Sequence, residues 1–195
     1  MNLANKITLA RIFLVPIIMF FMLVNVQFPH IEISSFTITY NQIIAALIFI
    51  IAASTDSLDG YIARKNKQVT NLGKLLDPLA DKLLVTAVLV SLVEMDKVDA
   101  WIVIVIISRE WAVTGLRQIA LLEGSVIMAS KWGKAKTAAQ ITAIIALLIN
   151  NFPFAFIDVP FDLIATWVAA IITVYSGIDY FVKNKHVIDF TEKTQ

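Results

Sequence analysis

Four aspartates have the residue type and the spacing for metal chemistry: Asp56, Asp59, Asp77 and Asp81. The first two are three residues apart and the last two are four apart. On a helix, either spacing places both members of a pair on one face about a turn apart. A short polar link over residues 65–72 would join the two helices as an antiparallel hairpin. We therefore expect the two pairs to face each other and to form one cluster of carboxylate oxygens.

A cationic group must neutralise this cluster, because like charges do not persist unbalanced in apolar surroundings. Hard oxygen ligands favour Mg²⁺ or Mn²⁺, and Mg²⁺ typically binds a few carboxylates while it also holds substrate phosphates. A substrate with a diphosphate is therefore expected. Gly60 and Gly73 remove side chains where a nucleotide would approach the backbone. Arg64 and Lys74 would meet its negative charge. In the alternative interpretation each aspartate pairs with a neighbouring Lys or Arg, which explains one aspartate more readily than four.

A second polar group lies around Arg109, which stands inside an apolar run and is costly there unless it faces a polar cavity or a partner. Arg117 follows eight residues later, within about a quadrant of Arg109 on a helix. A planar guanidinium binds phosphate bidentately. With Lys134 and Lys136 on the following segment, these residues predict a basin for an anionic acceptor. Alternatively, Arg117, Lys131, Lys134 and Lys136 enforce topology and contact anionic lipid headgroups. Glu110 has two interpretations, orienting Arg109 or pairing across a dimer.

The elements that would position these residues are membrane helices. The chain has 195 residues, of which 58% are hydrophobic and 16% charged, with a mean hydropathy of +0.79, which is too apolar for an ordinary soluble domain. We predict one all-α integral membrane domain over residues 1–195, with six transmembrane helices of about 20 residues and a cytoplasm-facing polar cavity. The segments are 7–26, 42–63, 73–93, 98–122, 132–150 and 161–182. The absence of cysteine excludes disulfide frameworks, thiolate metal sites and cysteine nucleophiles.

Charge indicates the orientation of these helices. The odd-numbered connections, residues 27–40, 94–99 and 151–160, contain Lys97 as their one Lys or Arg. Since excess Lys and Arg mark the cytoplasmic side, we predict a multi-pass cell-membrane protein with both termini and the active site in the cytoplasm. Residues 2–11 have a further interpretation, a helix that lies along the membrane interface before the chain turns into the bilayer. A net charge of +1 gives no support for a nucleic-acid partner.

The acidic segments resemble, position for position, the signature of the CDP-alcohol phosphatidyltransferase family. Its eight fixed positions span 26 residues and are occupied here by Asp56, Asp59, Gly60, Ala63, Arg64, Gly73, Asp77 and Asp81. The resemblance implies six transmembrane helices, a homodimer and a cytoplasm-facing cavity. It implies that Asp56, Asp59 and Asp77 bind Mg²⁺ or Mn²⁺. Asp81 is implied as the catalytic base, and it is also a candidate metal ligand. The positions implied to contact the CDP moiety are Asp56, Asp59, Gly60, Ala63, Arg64 and Gly73.

Three further segments, residues 2–12, 108–117 and 130–137, are similar to the bacterial phosphatidylglycerophosphate synthases, a branch of this family. The resemblance implies an integral membrane enzyme of phospholipid synthesis, a CDP-diacylglycerol–glycerol-3-phosphate 3-phosphatidyltransferase. Its substrates would be CDP-diacylglycerol and sn-glycerol 3-phosphate, and its products phosphatidylglycerol phosphate and CMP. The candidates for holding the acceptor phosphate are Arg109, Arg117 and Lys134.

Three other functions remain open at this point. The first is the same reaction with another acceptor, namely serine, inositol or inositol phosphate. The second is an intramembrane prenyltransferase, which would need two separate acidic motifs and usually more helices. The third is a cation transporter, which would place acidic or polar residues near the midplane of several spans, whereas the aspartates here cluster at one end of two helices.

Overall fold

The computed structural model of the chain describes the backbone of residues 3–24, 30–33, 36–65, 71–122, 127 and 130–185. Within these ranges the side chains of residues 3–5, 32–33, 56–65, 71–78, 81 and 121–122 are outside the description. Every structural statement below refers to the described part.

Six α-helices account for most of the described residues, and they correspond to the six segments predicted from the sequence. Their bounds are α1 Leu3–Leu23, α2 Tyr40–Lys65, α3 Asn71–Glu94, α4 Ala100–Leu122, α5 Lys131–Leu148 and α6 Phe161–Lys183. The largest difference concerns α1, which begins and ends a few residues earlier than the hydrophobic segment 7–26. Leu3–Leu23 is one continuous helix, so no turn separates an interfacial part from a spanning part.

The connection between α1 and α2 contains two short strands that the all-α prediction missed. They are β1, His30–Ile33, and β2, Phe36–Thr39, and they pair antiparallel with His30 opposite Thr39. The alternation of β-branched and aromatic residues in this stretch favours a strand pair. Phe36 of β2 is buried against Phe152 and Phe156, with ring centroids 5.6 Å from each. The protein is therefore mostly helical with one hairpin.

The helices pack around an apolar centre. α1 lies against α2 and α3, and α6 lies against α4 and α5. The fully buried side chains of this centre include Ile18, Phe49, Leu84, Leu92, Ile144 and Leu148. Many large apolar side chains also face outwards, such as Phe13 at 69% exposure and Ile171 at 63%. Exposed apolar surface on this scale is typical of a face that meets lipid or a partner.

By length and composition, two stretches of the described chain are apolar enough to cross a membrane, Lys6–Leu23 and Phe161–Lys183. A shorter apolar stretch covers Tyr40–Thr55 in α2. The helices α2 to α5 also carry charged and polar residues along part of their length.

One end of the bundle carries the β1–β2 hairpin and is called the hairpin end here. It is held by hydrogen bonds that converge on Asn150. Its amide nitrogen donates to the carbonyl of Thr37 at 2.7 Å and to the side chain of Gln42 at 3.2 Å. The Lys97 amine donates to the amide oxygen of Asn150 and to the carbonyl of Leu147 at 2.8 Å. These bonds join three connections of the chain, those before α2, before α4 and after α5.

Candidate functional site

The other end of the bundle, called the site end here, contains a cavity of about 490 Å³ between α3, α4, α5 and α6. Its charged lining residues are Lys82, Arg109, Arg117, Lys134, Lys136 and Glu110. Five cations against one carboxylate make the described lining strongly positive. The structure therefore brings Arg109, Arg117 and Lys134, the three predicted acceptor residues, to one cavity, whose charge suits an anionic ligand.

Arg109 extends from the middle of α4 towards α6. Its Nη2 donates to Ser176 Oγ at 2.6 Å, and its Nη1 lies 3.5 Å from Glu110 Oε1. The side chain is 10% exposed, and its buried Nε has no hydrogen-bond partner among the described residues. A buried donor without a partner is unfavourable, and an anion in the cavity would relieve it.

Arg117 lies two turns further along α4 and is held by Tyr180 of α6. Its Nε donates to the Tyr180 hydroxyl at 2.9 Å, and its guanidinium carbon lies 5.5 Å from the centre of the tyrosine ring. Tyr180 is buried, with 2% of its surface exposed. The hydrogen bond and the cation–π contact together fix the direction of the guanidinium.

Lys134 enters the cavity from the first turn of α5. Ser130 caps this helix, since its Oγ accepts from the backbone N–H of Gly133 at 3.0 Å. A helix N-terminus carries partial positive charge, which adds to the attraction for an anion. Next to Lys134 in the same turn, Trp132 contacts Tyr175 of α6 edge-on, with ring centroids 4.7 Å apart. The start of α5 is thus packed against α6.

Glu110 lies at the inner side of the cavity and pairs with a lysine of its own chain. Lys136 Nζ donates to Glu110 Oε1 and to Gln140 Oε1, the latter at 3.5 Å. Gln140 in turn donates to Thr173 Oγ1 at 3.0 Å. The contact of Glu110 with Arg109 fits the orienting interpretation, and pairing across a dimer stays untested. Because Glu110 balances Lys136, the excess positive charge of the described lining rests with the other four cations.

The eight signature positions lie on the two helices that precede α4. Residues 56–64 belong to the second half of α2, and residues 73–81 belong to the first half of α3. Their side chains, including all four aspartates, are outside the described part of the structure, so their geometry stays a prediction. Lys82 follows Asp81 directly and lines the cavity. The acceptor cavity and the end of the signature are therefore neighbours along α3.

A divalent metal was predicted for the four aspartates, and the chemistry of the donor set fits it. All four candidates supply carboxylate oxygens, the ligands that Mg²⁺ and Mn²⁺ prefer. α2 and α3 follow each other in the chain with only residues 66–70 between them, and they are in contact. Binding of one ion by carboxylates from both helices stays a prediction.

Sequence reasoning missed the buried hydroxyl residues of α6, of which Ser176 and Tyr180 accept from the arginines and Thr173 accepts from Gln140. Thr173, Ser176 and Tyr180 are three and four residues apart, so they lie on one face of an otherwise apolar helix, and all three are buried. This polar stripe was the available signal. It was overlooked because scattered hydroxyl groups in an apolar helix also occur without a ligand. Lys82 was missed as well, although it adjoins the signature.

Known proteins resemble this chain in sequence over most of its length. A model of the CDP-alcohol phosphatidyltransferase family matches residues 1–175. The chain is 54% identical to the CDP-diacylglycerol–glycerol-3-phosphate 3-phosphatidyltransferase of Bacillus subtilis, over 94% of this chain and 95% of that protein. It is 41% identical to the protein of the same name from Haemophilus influenzae, over 92% of this chain and 91% of that one. The corresponding protein of Rickettsia felis is 35% identical, over 92% and 93%.

Proposed function

The chain belongs to the CDP-alcohol phosphatidyltransferase family, and on this premise we propose that it transfers the phosphatidyl group of CDP-diacylglycerol to sn-glycerol 3-phosphate. The products are phosphatidylglycerol phosphate and CMP. The names of the relatives support this reaction. The observation that carries the choice of acceptor is the positive cavity at the site end, with Arg109, Arg117 and Lys134 in its lining.

The charge of the cavity favours this acceptor over two alternatives. Glycerol 3-phosphate carries a phosphomonoester, which a pair of guanidinium groups and an ammonium can bind through several charge-assisted hydrogen bonds. Serine is zwitterionic and inositol is neutral, so neither uses the excess of cations. Inositol phosphate shares the phosphomonoester and differs in the size of its alcohol. The experiment below separates it from glycerol 3-phosphate.

The CDP end of the donor is assigned to the signature segments of α2 and α3. Asp56, Asp59 and Asp77 hold the divalent metal, and Asp81 completes the carboxylate set. The CDP moiety lies along Asp56, Asp59, Gly60, Ala63, Arg64 and Gly73. A bound Mg²⁺ or Mn²⁺ supplies neutralisation of the charge on the diphosphate.

The chain's own side chains divide the chemistry between them. Arg109, Arg117 and Lys134 hold the acceptor phosphate and thereby orient the hydroxyl of the acceptor that attacks the donor. Asp81 accepts the proton of that hydroxyl as the general base. The acceptor oxygen bonds to the phosphorus that carries diacylglycerol, and the bond from this phosphorus to the oxygen of CMP breaks. CMP leaves with the bonding electrons. The transfer is direct and needs no covalent enzyme intermediate.

The family is membrane-associated, and the proposed topology extends this to one domain over residues 1–195 with six spans. Both termini and the site end face the cytoplasm, which gives the cavity access to soluble glycerol 3-phosphate while the acyl chains of the donor stay in the bilayer. Membrane lipids surround the exposed apolar faces. A homodimer is the proposed assembly, and cross-linking in native membranes tests it.

The orientation is tested by labelling single cysteines, for which the chain provides a clean background because it has no native cysteine. Lys131 is exposed at the site end, and Asp158 is exposed at the hairpin end. An impermeant thiol reagent added to intact cells should label Asp158→Cys and leave Lys131→Cys unlabelled until the cells are opened. The reverse pattern would contradict the topology.

The activity is tested with the purified chain, CDP-diacylglycerol, Mg²⁺ or Mn²⁺ and a panel of acceptors, scored by release of CMP. The panel contains glycerol 3-phosphate, serine, inositol and inositol phosphate. Among these four acceptors, we expect efficient turnover with glycerol 3-phosphate and not with the other three. Preferred use of serine, inositol or inositol phosphate would reject the proposed acceptor while keeping the family. Release of CMP that does not require any acceptor would reject the transferase.

A further inference from the structure

Arg109 and Arg117 of α4 both line the cavity, and each also donates a hydrogen bond to a side chain of α6. Arg109 Nη2 donates to Ser176, whose side chain is completely buried, and Arg117 Nε donates to the buried hydroxyl of Tyr180. Both acceptors are neutral hydroxyl groups. Each hydrogen bond therefore fixes a guanidinium without cancelling its charge, which stays available to an anion.

Gly177, between these two residues, lies in close contact with the stem of Arg109. A Cβ atom built at Gly177 would stand 2.9 Å from Arg109 Cγ and 3.7 Å from its Nε. Real Cβ atoms do not approach so closely, so any larger residue at position 177 must displace the arginine. Gly115 of α4 gives a contrast, since no described atom outside its own surroundings lies within 4 Å of a Cβ built there. Glycine at position 177 is thus required for the observed direction of Arg109.

A purely structural role would be the fastening of α6 to α4. Both helices already bury apolar side chains against each other, with Val113, Leu116 and Ala120 of α4 packed around Tyr180. The two hydrogen bonds thus add to a contact that apolar packing already makes. They also fix the rotamers of two long side chains before the ligand arrives. Less conformational entropy is therefore lost when the ligand binds.

We infer that Ser176, Gly177 and Tyr180 are positioning residues, which set Arg109 and Arg117 in the direction that receives the phosphate of the acceptor. This inference rests on the proposed function. Ser176 and Gly177 act through Arg109, and Tyr180 acts through Arg117. All three follow residue 175, where the match to the family model ends. A role in choosing the acceptor, the property in which members of the family differ, is consistent with that location.

The test compares the steady-state kinetics of variants of the full-length enzyme. Ser176→Ala removes the acceptor for Arg109, Gly177→Ala displaces the arginine, and Tyr180→Phe keeps the ring but removes the hydroxyl. We expect each to raise KM for glycerol 3-phosphate by about tenfold, the change expected when one hydrogen bond of a charged group is lost. KM for CDP-diacylglycerol should change less than about twofold, because that substrate is assigned to α2 and α3.

Two matched controls distinguish positioning from damage. Ser91→Ala also removes a fully buried hydroxyl, one that donates to the carbonyl of Ala87 within α3. Gly115→Ala adds the same methyl group as Gly177→Ala at a place with room for it. Both controls should leave the two KM values unchanged. Thermal unfolding in detergent shows whether each variant folds, and any one of the three test variants that folds suffices.

Coupling between residues provides the decisive reading. If Ser176 acts through Arg109, Ser176→Ala should have no further effect on KM once Arg109 is replaced by Ala. The same holds for Tyr180→Phe in an Arg117→Ala background. The inference would be overturned if Ser176→Ala or Tyr180→Phe changed KM as much in the arginine variant as in the wild-type enzyme. It would also be overturned by an unchanged KM for glycerol 3-phosphate in the folded single variants. Failure of the wild-type enzyme to use glycerol 3-phosphate at all would instead reject the proposed function.

Discussion

Each end of the bundle contains a lysine with little access to solvent, half-buried Lys97 at one end and buried Lys136 at the other, and their charges are balanced differently. At the hairpin end, Lys97 donates to the carbonyl of Leu147 and to the side chain of Asn150, which are neutral. At the site end, Lys136 pairs with the carboxylate of Glu110, and several further cations of the cavity have no carboxylate beside them among the described lining residues. At the hairpin end the lysine donates to neutral groups, whereas the described cavity lining at the site end carries surplus positive charge.

The surroundings of Lys97 lower its pKa. Burial among neutral partners lowers the pKa of Lys97 to about 8 from an ordinary 10.5, and the negative charge of Asp162 only partly opposes this. A network of this type holds the connections of the chain together. A surplus of fixed cations is incomplete without an anion, and this difference separates a structural polar network from a binding site.

The largest effect is expected from Asp81, at the site end. If Asp81 is chiefly the base, Asp81→Asn should reduce turnover by roughly 10²–10⁴-fold, while binding of CDP-diacylglycerol in the presence of metal largely survives. Asp56→Asn should instead weaken that binding, because a metal ligand is lost. Calorimetry of the two variants in parallel, together with measured kcat, checks the division. An equal collapse of affinity in both would contradict it.

The next largest effect separates the two ends directly. Arg109→Ala should raise KM for glycerol 3-phosphate by roughly 10–100-fold, since a charge-assisted contact with the acceptor is lost. Lys97→Met, at the hairpin end, should leave both KM values unchanged and alter only thermal stability. The comparison fails if Lys97→Met weakens acceptor binding as strongly as Arg109→Ala does.

The smallest effect concerns the pH dependence of stability. The folded protein lowers the pKa of Lys97, so between pH of about 8 and 10.5 the unfolded chain binds more protons than the folded one. Stability contributed by this residue should therefore rise with pH across that window, by an amount on the order of 1–3 kcal/mol, and should not change with pH below it. Thermal unfolding of wild type and Lys97→Met at matched pH values measures the difference. A wild-type advantage that falls as the pH rises would contradict the assignment.

The helices were predictable because each lies in a long and largely apolar segment bounded by polar residues. The cations of the cavity were predictable for a related reason. Arg109 and Arg117 share one helix, where a spacing of eight residues fixes their relative direction. Lys134 follows on the next helix of the same end.

The contacts of α6 were not predictable from spacing. Ser176 and Arg109 are 67 residues apart, and Tyr180 and Arg117 are 63 apart, so packing between helices decides which side chains meet. The hairpin was missed for another reason. Its strands have four residues each, and so short an alternation of apolar and polar residues fits a loop as well as a strand.

The edge-on contact between Trp132 and Tyr175 also makes the junction of α5 and α6 accessible to fluorescence measurements. Trp132 adjoins Lys134 in sequence and Tyr175 adjoins Ser176, so the ring pair joins the two helices that carry these residues. An indole emits according to its immediate surroundings, and a small shift of α5 relative to α6 would change its emission. The other three tryptophans, Trp101, Trp111 and Trp167, can be replaced by phenylalanine. The remaining tryptophan would then report movement of the start of α5 relative to α6, without any added label.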